Sequence, residues 1–101
     1  MLILLALGAQ AATVEVNSGD DLFAVMESLT AGDEVVVHAG TWSSQQPGGS
    51  WFRQLTLNGT ESEPIVIRVA DGEAALIEGD PAGSQNIINI EGSHYTFKGF
   101  E

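Results

Sequence analysis

The stretch from Gly32 to Trp42 reads GDEVVVHAGTW and carries the strongest fold signal in the chain. A Gly-Asp pair precedes three consecutive valines, and Gly-Thr-Trp closes the stretch. In an extended strand Val35 and Val37 point to the same side, because side chains alternate with a period of two. The pattern therefore predicts a short strand with an inward aliphatic pair, a bend at Gly40 and an aromatic side chain beyond it.

A strand and a short helix are predicted upstream of this stretch. Residues Thr13 to Val16 alternate polar and apolar, as a half-buried strand does. Ser18 is the predicted N-cap of a helix with Asp20 and Asp21 in its first turn, near the positive end of the helix dipole. Gly32 is the predicted stop. The apolar positions with helical spacing predict a face that covers the core: Leu22, Val25, Met26 and Leu29.

Downstream of Glu34 the apolar residues form short segments, which are separated by residues typical of turns. Val35 and Leu55, like Ile77 and Phe97, lie about 20 residues apart, and a recurrence of about 20 to 25 residues is typical of one turn of a stacked solenoid. Hairpins recur at shorter intervals. We therefore expect residues 34–101 to form the first turns of a strand stack and residues 12–33 to supply a strand and a capping helix.

Residues 1–11 predict a secretory signal peptide. Leu2 to Leu7 is apolar, and Ala9 and Ala11 place small residues on either side of Gln10, as signal peptidase requires. Cleavage after Ala11 would make Ala12 the first residue. The apolar run is far shorter than the roughly 20 residues that span a bilayer, so no transmembrane anchor is expected. The prediction is a secreted or periplasmic protein; a buried N-terminal strand is the alternative.

Composition bears on the class of partner. The 101 residues include 14 acidic and 3 basic side chains, for a net charge of -11. No basic patch is available to neutralise phosphates, so nucleic acid is not an expected partner. A hydrophobic content of 44% is too high for a disordered tail. The chain has no cysteine, which excludes disulfides and thiolate metal sites.

Three stretches, in order, resemble the pectate-lyase-like family of right-handed parallel β-helix proteins. GDEVVVHAGTW resembles the first-strand signature of that family, with Trp42 where a tyrosine is usual. The segment from Asn58 to Asp80 resembles the following turn, and IINIEGSHYTFKGFE, which ends at Glu101, resembles the next one. The similarity is closest to alginate-lyase and chondroitinase B-like enzymes and to relatives of mannuronan epimerase.

The resemblance implies an all-β fold, a right-handed parallel β-helix with a short N-terminal capping helix. It also implies uronate-rich polysaccharide as the substrate, although fold similarity alone does not fix function. In those families the catalytic basic residues and calcium ligands lie on turns that correspond to positions beyond Glu101. The resemblance therefore places the chemistry outside this chain.

No catalytic, cofactor-binding or metal-binding residue is assigned from the sequence. Elimination at a uronate needs a base beside the C5 proton and a cation on the carboxylate. Residues of suitable type are scattered, and no motif joins them: Arg53, Arg68, Lys98, Tyr95, His38 and His94. We expect Arg68 and Lys98 to face solvent on different turns. The two histidines are too isolated to indicate zinc, and no calcium-loop spacing occurs.

Other polar and aromatic candidates have structural interpretations. Four acidic residues in the second half of the chain are assigned to turns and strand edges: Asp71, Glu73, Glu78 and Asp80. Asn58-Gly59-Thr60 fits a glycosylation sequon, and a turn before Pro64 is the favoured interpretation. The polar stretch Ser43 to Ser50 is a predicted loop. Its aromatic neighbours would form either a sugar-stacking platform or, as we favour, a plug in the open core: Trp42, Trp51 and Phe52.

The sequence thus predicts the N-terminal capping segment of a secreted, lyase-like β-helix protein that acts on uronate-containing polysaccharide through residues outside this chain. Whether the whole protein is an enzyme stays open. The alternative is a non-catalytic β-helix surface protein or adhesin that only binds. Polysaccharide is the expected partner, through downstream turns, and calcium is possible in the full-length protein. The sequence predicts no oligomeric state.

Overall fold

The computed structural model describes residues 11–83 and 87–101. Apart from Ala11, the predicted signal peptide lies outside the described residues. These residues form strands β1 (Thr13–Val16), β2 (Glu34–Val37), β3 (Gly40–Ser43), β4 (Arg53–Asn58), β5 (Ile65–Val69), β6 (Ala75–Glu78), β7 (Ile88–Ser93) and β8 (Tyr95–Lys98), with one helix, α1 (Leu22–Met26), between β1 and β2. The predicted all-β class is confirmed.

Every strand pair in the described part of the chain is parallel, and the pairs form three sheets. Sheet A has the order β1-β2-β5-β8, sheet B pairs β3 with β6, and sheet C pairs β4 with β7. The successive strands β2, β3 and β4 therefore lie beside β5, β6 and β7. Paired positions such as Glu34 and Val66, or Arg53 and Ile88, are about 32 to 35 residues apart. One turn of the chain thus contains three strands.

The predicted recurrence of 20 to 25 residues is wrong for these turns. Val35 lies beside Ile67 and Leu55 lies beside Ile90, whereas Val35 and Leu55 belong to different sheets of the same turn. The spacing of about 20 residues separates two strands of one turn, and the same strand of the next turn lies farther along the chain. Only the step from β1 to β2, where Thr13 lies beside Glu34, falls in the predicted range.

Burial alternates with a period of two in β4 and β6, as predicted, whereas in β2 the intervening Val36 is buried as well. In β4, Leu55 and Leu57 are fully buried, while the alternating positions on either side of them are exposed. Val35 and Val37 are likewise fully buried, so the predicted inward pair is confirmed. Burying each such side chain stabilises the fold by about 1.5–3 kcal/mol. The inward sides of the three sheets, together with α1, form one apolar core.

Helix α1 differs from the prediction in its start and its length. The N-cap is Asp21, whose Oδ1 accepts a hydrogen bond from the backbone N–H of Ala24 at 3.1 Å. Ser18 is not the cap, because the chain makes a separate turn there, in which the N–H of Asn17 donates to Asp20 Oδ2 at 2.8 Å. The helix has five residues and ends at Met26, well before Gly32.

The buried face of α1 is also only partly as predicted. Leu22 and Met26 are buried, as expected, and so is Phe23, which the sequence stripe had omitted. Val25 and Leu29 are half-buried against the core, and Leu29 lies beyond the end of the helix. A five-residue helix makes little more than one turn. The buried residues of so short a helix need not follow the i, i+3, i+4 spacing of a long amphipathic helix. Here the adjacent residues Leu22 and Phe23 are both buried.

Trp42 joins the α1 end of the core to sheet B. Its side chain is buried, and its indole Nε1 donates to the carbonyl oxygen of Asp20 at 2.9 Å. Gly40 begins β3, and a Cβ at this position would lie 2.8 Å from Cη2 of Trp42. Glycine is therefore required where the indole lies over the backbone. Within residues 11–83 and 87–101 no helix has the length and apolarity needed to cross a membrane.

Candidate functional site

The outer face of sheet A and the turns next to it bring together side chains that are far apart in the sequence. Glu15 comes from β1, Glu34 from β2 and Arg68 from β5, and all alternate with inward apolar neighbours. The others lie just after β2, in the turn between β5 and β6, and in β8. We call this group the sheet A cluster: Glu15, Glu34, His38, Arg68, Glu73 and Lys98.

His38 is held between two carboxylates of the sheet A cluster. Its Nε2 lies 2.6 Å from Oε1 of Glu15, and its Nδ1 lies 2.9 Å from Oε2 of Glu73. The second carboxylate oxygen of Glu73 also accepts a hydrogen bond from the backbone N–H of Ala39 at 2.8 Å. Both ring nitrogens can donate only when the imidazole is protonated. The geometry therefore favours the imidazolium form of His38.

The same contacts move two pKa values in opposite directions. The hydrogen bond to Glu15, followed by the one to Glu73, raises the pKa of His38 above its ordinary value of 6.5. The pKa of Glu73 is lowered, chiefly by its hydrogen bond with His38 and then by the Ala39 N–H. Each shift stabilises the charged form of its group, as expected for a charge-assisted pair.

Arg68 and Lys98 lie next to each other on successive turns. Arg68 is the register partner of Val36 on one side and of Lys98 on the other. Its Nε donates to Oε2 of Glu34 at 2.8 Å, and this hydrogen bond is the main cause of its raised pKa. Both residues belong to the outer face of sheet A, as expected. Their direct proximity was not foreseen, because it depends on the register between β5 and β8.

The sheet A cluster does not have the geometry of a catalytic or metal site. The two carboxylates that contact His38 occupy opposite ring nitrogens, so neither nitrogen is left to take or give a proton to a substrate. Because the two carboxylates lie on opposite sides of the ring, they also cannot bind one metal ion together with the imidazole. Within the described part of the chain, no three residues of metal-binding type are placed to hold a metal. The cluster joins β1, β2 and the turn after β5 electrostatically.

The remaining candidates with suitable chemistry lie elsewhere. Arg53 stacks over the ring of Phe23 at 4.5 Å, and its Nε donates to the carbonyl of Ser44 at 2.9 Å, so it connects sheet C to α1. Tyr95 is half-buried beside the inward residue Ile65. His94 is exposed at the corner between β7 and β8, with a φ of 54°. The structure does not bring these groups together.

The acidic turn residues and the sequon largely follow their structural interpretations. Asp80 Oδ1 accepts from the N–H of Ala82 at 2.8 Å within a turn. Asn58 ends β4, and the next residue, Gly59, donates its N–H to the carbonyl of Ser93 at 2.9 Å. Glu73 departs from this pattern, because its turn places the carboxylate against His38. Sequence reasoning missed that contact, which joins residues 35 positions apart.

The aromatic residues at the ends of the polar loop do not form one platform. Trp42 is buried in the core, as the plug interpretation predicts, while Trp51 and Phe52 are half-buried. Arg53 holds the loop in place, since its guanidinium group also donates to the carbonyl of Gln45 at 3.1 Å.

An apolar groove of about 410 Å³ lies beside β6, β7 and β8, the last strands of the three sheets. We call it the open groove; it is lined by Ile77, Ile87, Ile88, Phe97, Phe100 and Glu101. Phe97 and Phe100 stack with their ring centroids 4.8 Å apart. The backbone of Glu101 donates to the carbonyl of Ala75 at 2.9 Å and accepts from the N–H of Ile77 at 3.0 Å. Glu101 thereby extends sheet B by one position on the far side of β6.

Comparisons with protein-family models, with curated proteins and with solved structures found no match to this chain.

Proposed function

We propose that this chain is the covered N-terminal end of a secreted right-handed parallel β-helix protein that acts on uronate-containing polysaccharide. Its own role is structural: α1 covers one end of the core, and the groups that bind and transform the polymer lie on later turns. The observation that carries the proposal is the repeated parallel pairing of three strands with the next three.

The strand order supports a β-helix in particular. Each strand of one turn pairs only with the corresponding strand of the neighbouring turn, which is the arrangement of a solenoid. Connections between parallel strands of one sheet are right-handed in the great majority of proteins, which favours that hand here. Val35, Val37 and Trp42 also lie on the inward side, as the resemblance to pectate-lyase-like proteins requires.

The open groove supports a continuing stack. Phe97 of the groove lies beside Ile67, which is fully buried on β5, and the Glu101 backbone already pairs with the free edge of β6. A further turn of about 30 to 35 residues would cover the groove and the edges of β6, β7 and β8. An unprotected strand edge beside an apolar surface is otherwise a site of association.

The decisive experiment is to read the encoding gene beyond Glu101 and to assay its complete product. We expect further segments of about 30 to 35 residues with period-two apolar strands. The product should release unsaturated uronate from alginate, polygalacturonate or chondroitin, detected by ultraviolet absorbance. A stop codon directly after Glu101 would contradict the proposal. Binding of these polymers without product release would favour the alternative, a β-helix surface protein or adhesin.

The 101-residue chain also offers a direct test of the open groove. We expect it to self-associate in sedimentation velocity runs as its concentration rises, and Phe100→Ser should weaken the association. Leu76→Ser is the matched control, because Leu76 is 40% exposed on the outer face of sheet B, away from the groove. A monomer at all concentrations would argue against an uncovered stacking surface. The chain alone should release no unsaturated product.

A further inference from the structure

Asp33 is a nearly buried carboxylate that receives a hydrogen bond from the start of the described chain. Only 9% of its surface is exposed. Its Oδ2 accepts from the backbone N–H of Thr30 at 2.8 Å and from the Thr30 hydroxyl at 3.3 Å. Its Oδ1 accepts from the backbone N–H of Ala12 at 3.0 Å, across 21 positions of sequence. A buried carboxylate is costly unless charge-assisted bonds satisfy it.

Ala12 is the residue that would follow the predicted signal-peptidase site. Ala11 and Ala12 are both exposed, and the carbonyl of Ala12 accepts from the N–H of Glu34 at 2.8 Å. That second bond is part of the pairing between β1 and β2. It holds Ala12 next to Asp33 through the carbonyl of Ala12 itself, which cleavage before Ala12 leaves intact.

We propose that Asp33 is the receptor for the α-ammonium group that forms on Ala12 when a signal peptidase cuts the Ala11–Ala12 bond. This inference rests on the secretion of the chain in the proposed function. In the cleavage, water attacks the carbonyl carbon of Ala11 and the C–N bond breaks. Ala11 leaves as a carboxylate, and the nitrogen of Ala12 becomes an ammonium group. The group that faces Asp33 then changes from a neutral amide into a cation.

This change strengthens a contact that already has the right geometry. Hydrogen bonds between an ammonium group and a carboxylate are shorter and roughly twice as strong as neutral ones. The Asp33 carboxylate is nearly buried, so water and salt screen it less than a carboxylate on an open surface, while the Ala12 side of the pair is exposed. Processing therefore both removes the leader and fixes the first strand of the stack to the turn that precedes β2.

The first test is export of the full chain with its own leader, followed by intact mass measurement of the product. We expect a mature chain that begins at Ala12. A product that begins at any other residue, or one that retains the leader after export, would overturn the inference.

The second test is NMR titration of the Ala12 methyl signal in the exported product. We expect the pKa of the α-ammonium to lie about one unit above its ordinary value of roughly 7.7–8.0, a tenfold shift in proton binding. The shift should vanish in Asp33→Asn and persist in Asp71→Asn, which removes an exposed carboxylate. If Asp33→Asn does not fold, the urea-unfolded wild-type chain serves as the reference. An ordinary pKa in the folded wild type would refute the ion pair.

These outcomes separate the inference from the proposed function. A product that begins at Ala12 and has a raised amine pKa supports the inference even if the complete gene product neither binds nor cleaves polysaccharide. A complete protein that is active on polysaccharide but starts elsewhere leaves the function intact and removes the role of Asp33.

Discussion

At the α1 end of the core Leu22, Phe23 and Met26 are buried, whereas at the opposite end Ile88 and Phe97 are only half-buried. Both groups consist of inward-facing apolar side chains. What differs is the neighbour, because α1 covers the first end and no described element covers the second. Burial of these side chains therefore depends on which element lies over them, and the residue type alone does not determine it.

The largest test of this comparison replaces two side chains that are paired in sheet C. Leu55 is fully buried and lies beside Ile90, which is half-buried on β7, the last described strand of sheet C. Leu55→Ala should lower the free energy of unfolding by about 2–5 kcal/mol, and Ile90→Ala by roughly 1–2 kcal/mol. Urea denaturation of dilute samples measures both. Equal losses would mean that the inward side of β7 is covered in solution.

A second test concerns Trp42 and Gly40 at the covered end. Gly40→Ala would place a methyl group 2.8 Å from the indole of Trp42, so we expect a loss of about 1–3 kcal/mol. In the Trp42→Leu background, Gly40→Ala should cost less free energy of unfolding than it does in the wild type, because the indole ring is gone. Thermal unfolding of the four proteins gives the coupling. Strict additivity would show that the two sites are independent and that the indole does not lie over Gly40.

A third test asks what starts α1. Asp21→Ala should cost about 1 kcal/mol, because the N–H of Ala24 loses its acceptor. Ser18→Ala is the matched control and should leave the free energy of unfolding nearly unchanged. A larger effect at Ser18 than at Asp21 would restore the helix start predicted from the sequence.

The smallest expected effect is the pH dependence of the contacts of β1. Because the folded-state pKa of His38 is raised, its contribution to stability is complete below pH 6.5 and is lost as the pH rises through the higher folded value. The lowered pKa of Glu73 has the opposite sign, so its contribution is present above pH 4.5 and is lost in more acidic solution. The His38 contacts should therefore be tightest between these two values.

Amide hydrogen exchange, corrected for intrinsic rates, measures this effect. The N–H groups of Glu34 and His38 report on β1, since they donate to Ala12 and Val16. We expect their protection to fall by roughly two- to fivefold above the folded pKa of His38, the size typical of an exposed ion pair. Glu15→Gln should reduce this change, while Glu91→Gln, an exposed carboxylate on sheet C, should not. A flat profile in the wild type would contradict the role of His38.

Local patterns allowed the strands to be predicted, but their partners could not be. Alternation placed Val35, Val37, Leu55 and Leu57 on inward positions correctly, because the period of a strand is a property of consecutive residues. The spacing between turns failed, since loops such as Ser44 to Phe52 add residues that no periodicity counts. When the spacing is wrong, the strand register is wrong too, and every residue is assigned the wrong cross-strand neighbour.

The same limit explains why the sheet A cluster was missed. His38 was judged isolated because its neighbours in sequence carry no complementary chemistry. Its carboxylate partners lie 23 and 35 positions away and meet it only through the stacking of β1, β2 and β5. The predicted start of α1 is wrong for a different reason: Ser18 and Asp21 are both good caps, and the chain uses residues 17–20 for a separate turn before Asp21 caps the helix.

The parallel pairing also has a consequence for how the molecule reaches its structure. Each described strand meets its partner after about 21 to 35 residues, and this separation does not grow as turns are added. The entropy of closing each loop therefore stays nearly constant along the chain. Folding can begin at α1 and β1 and advance one turn at a time, with each completed turn serving as the template for the next. Such a chain can acquire structure in the order in which it is synthesised.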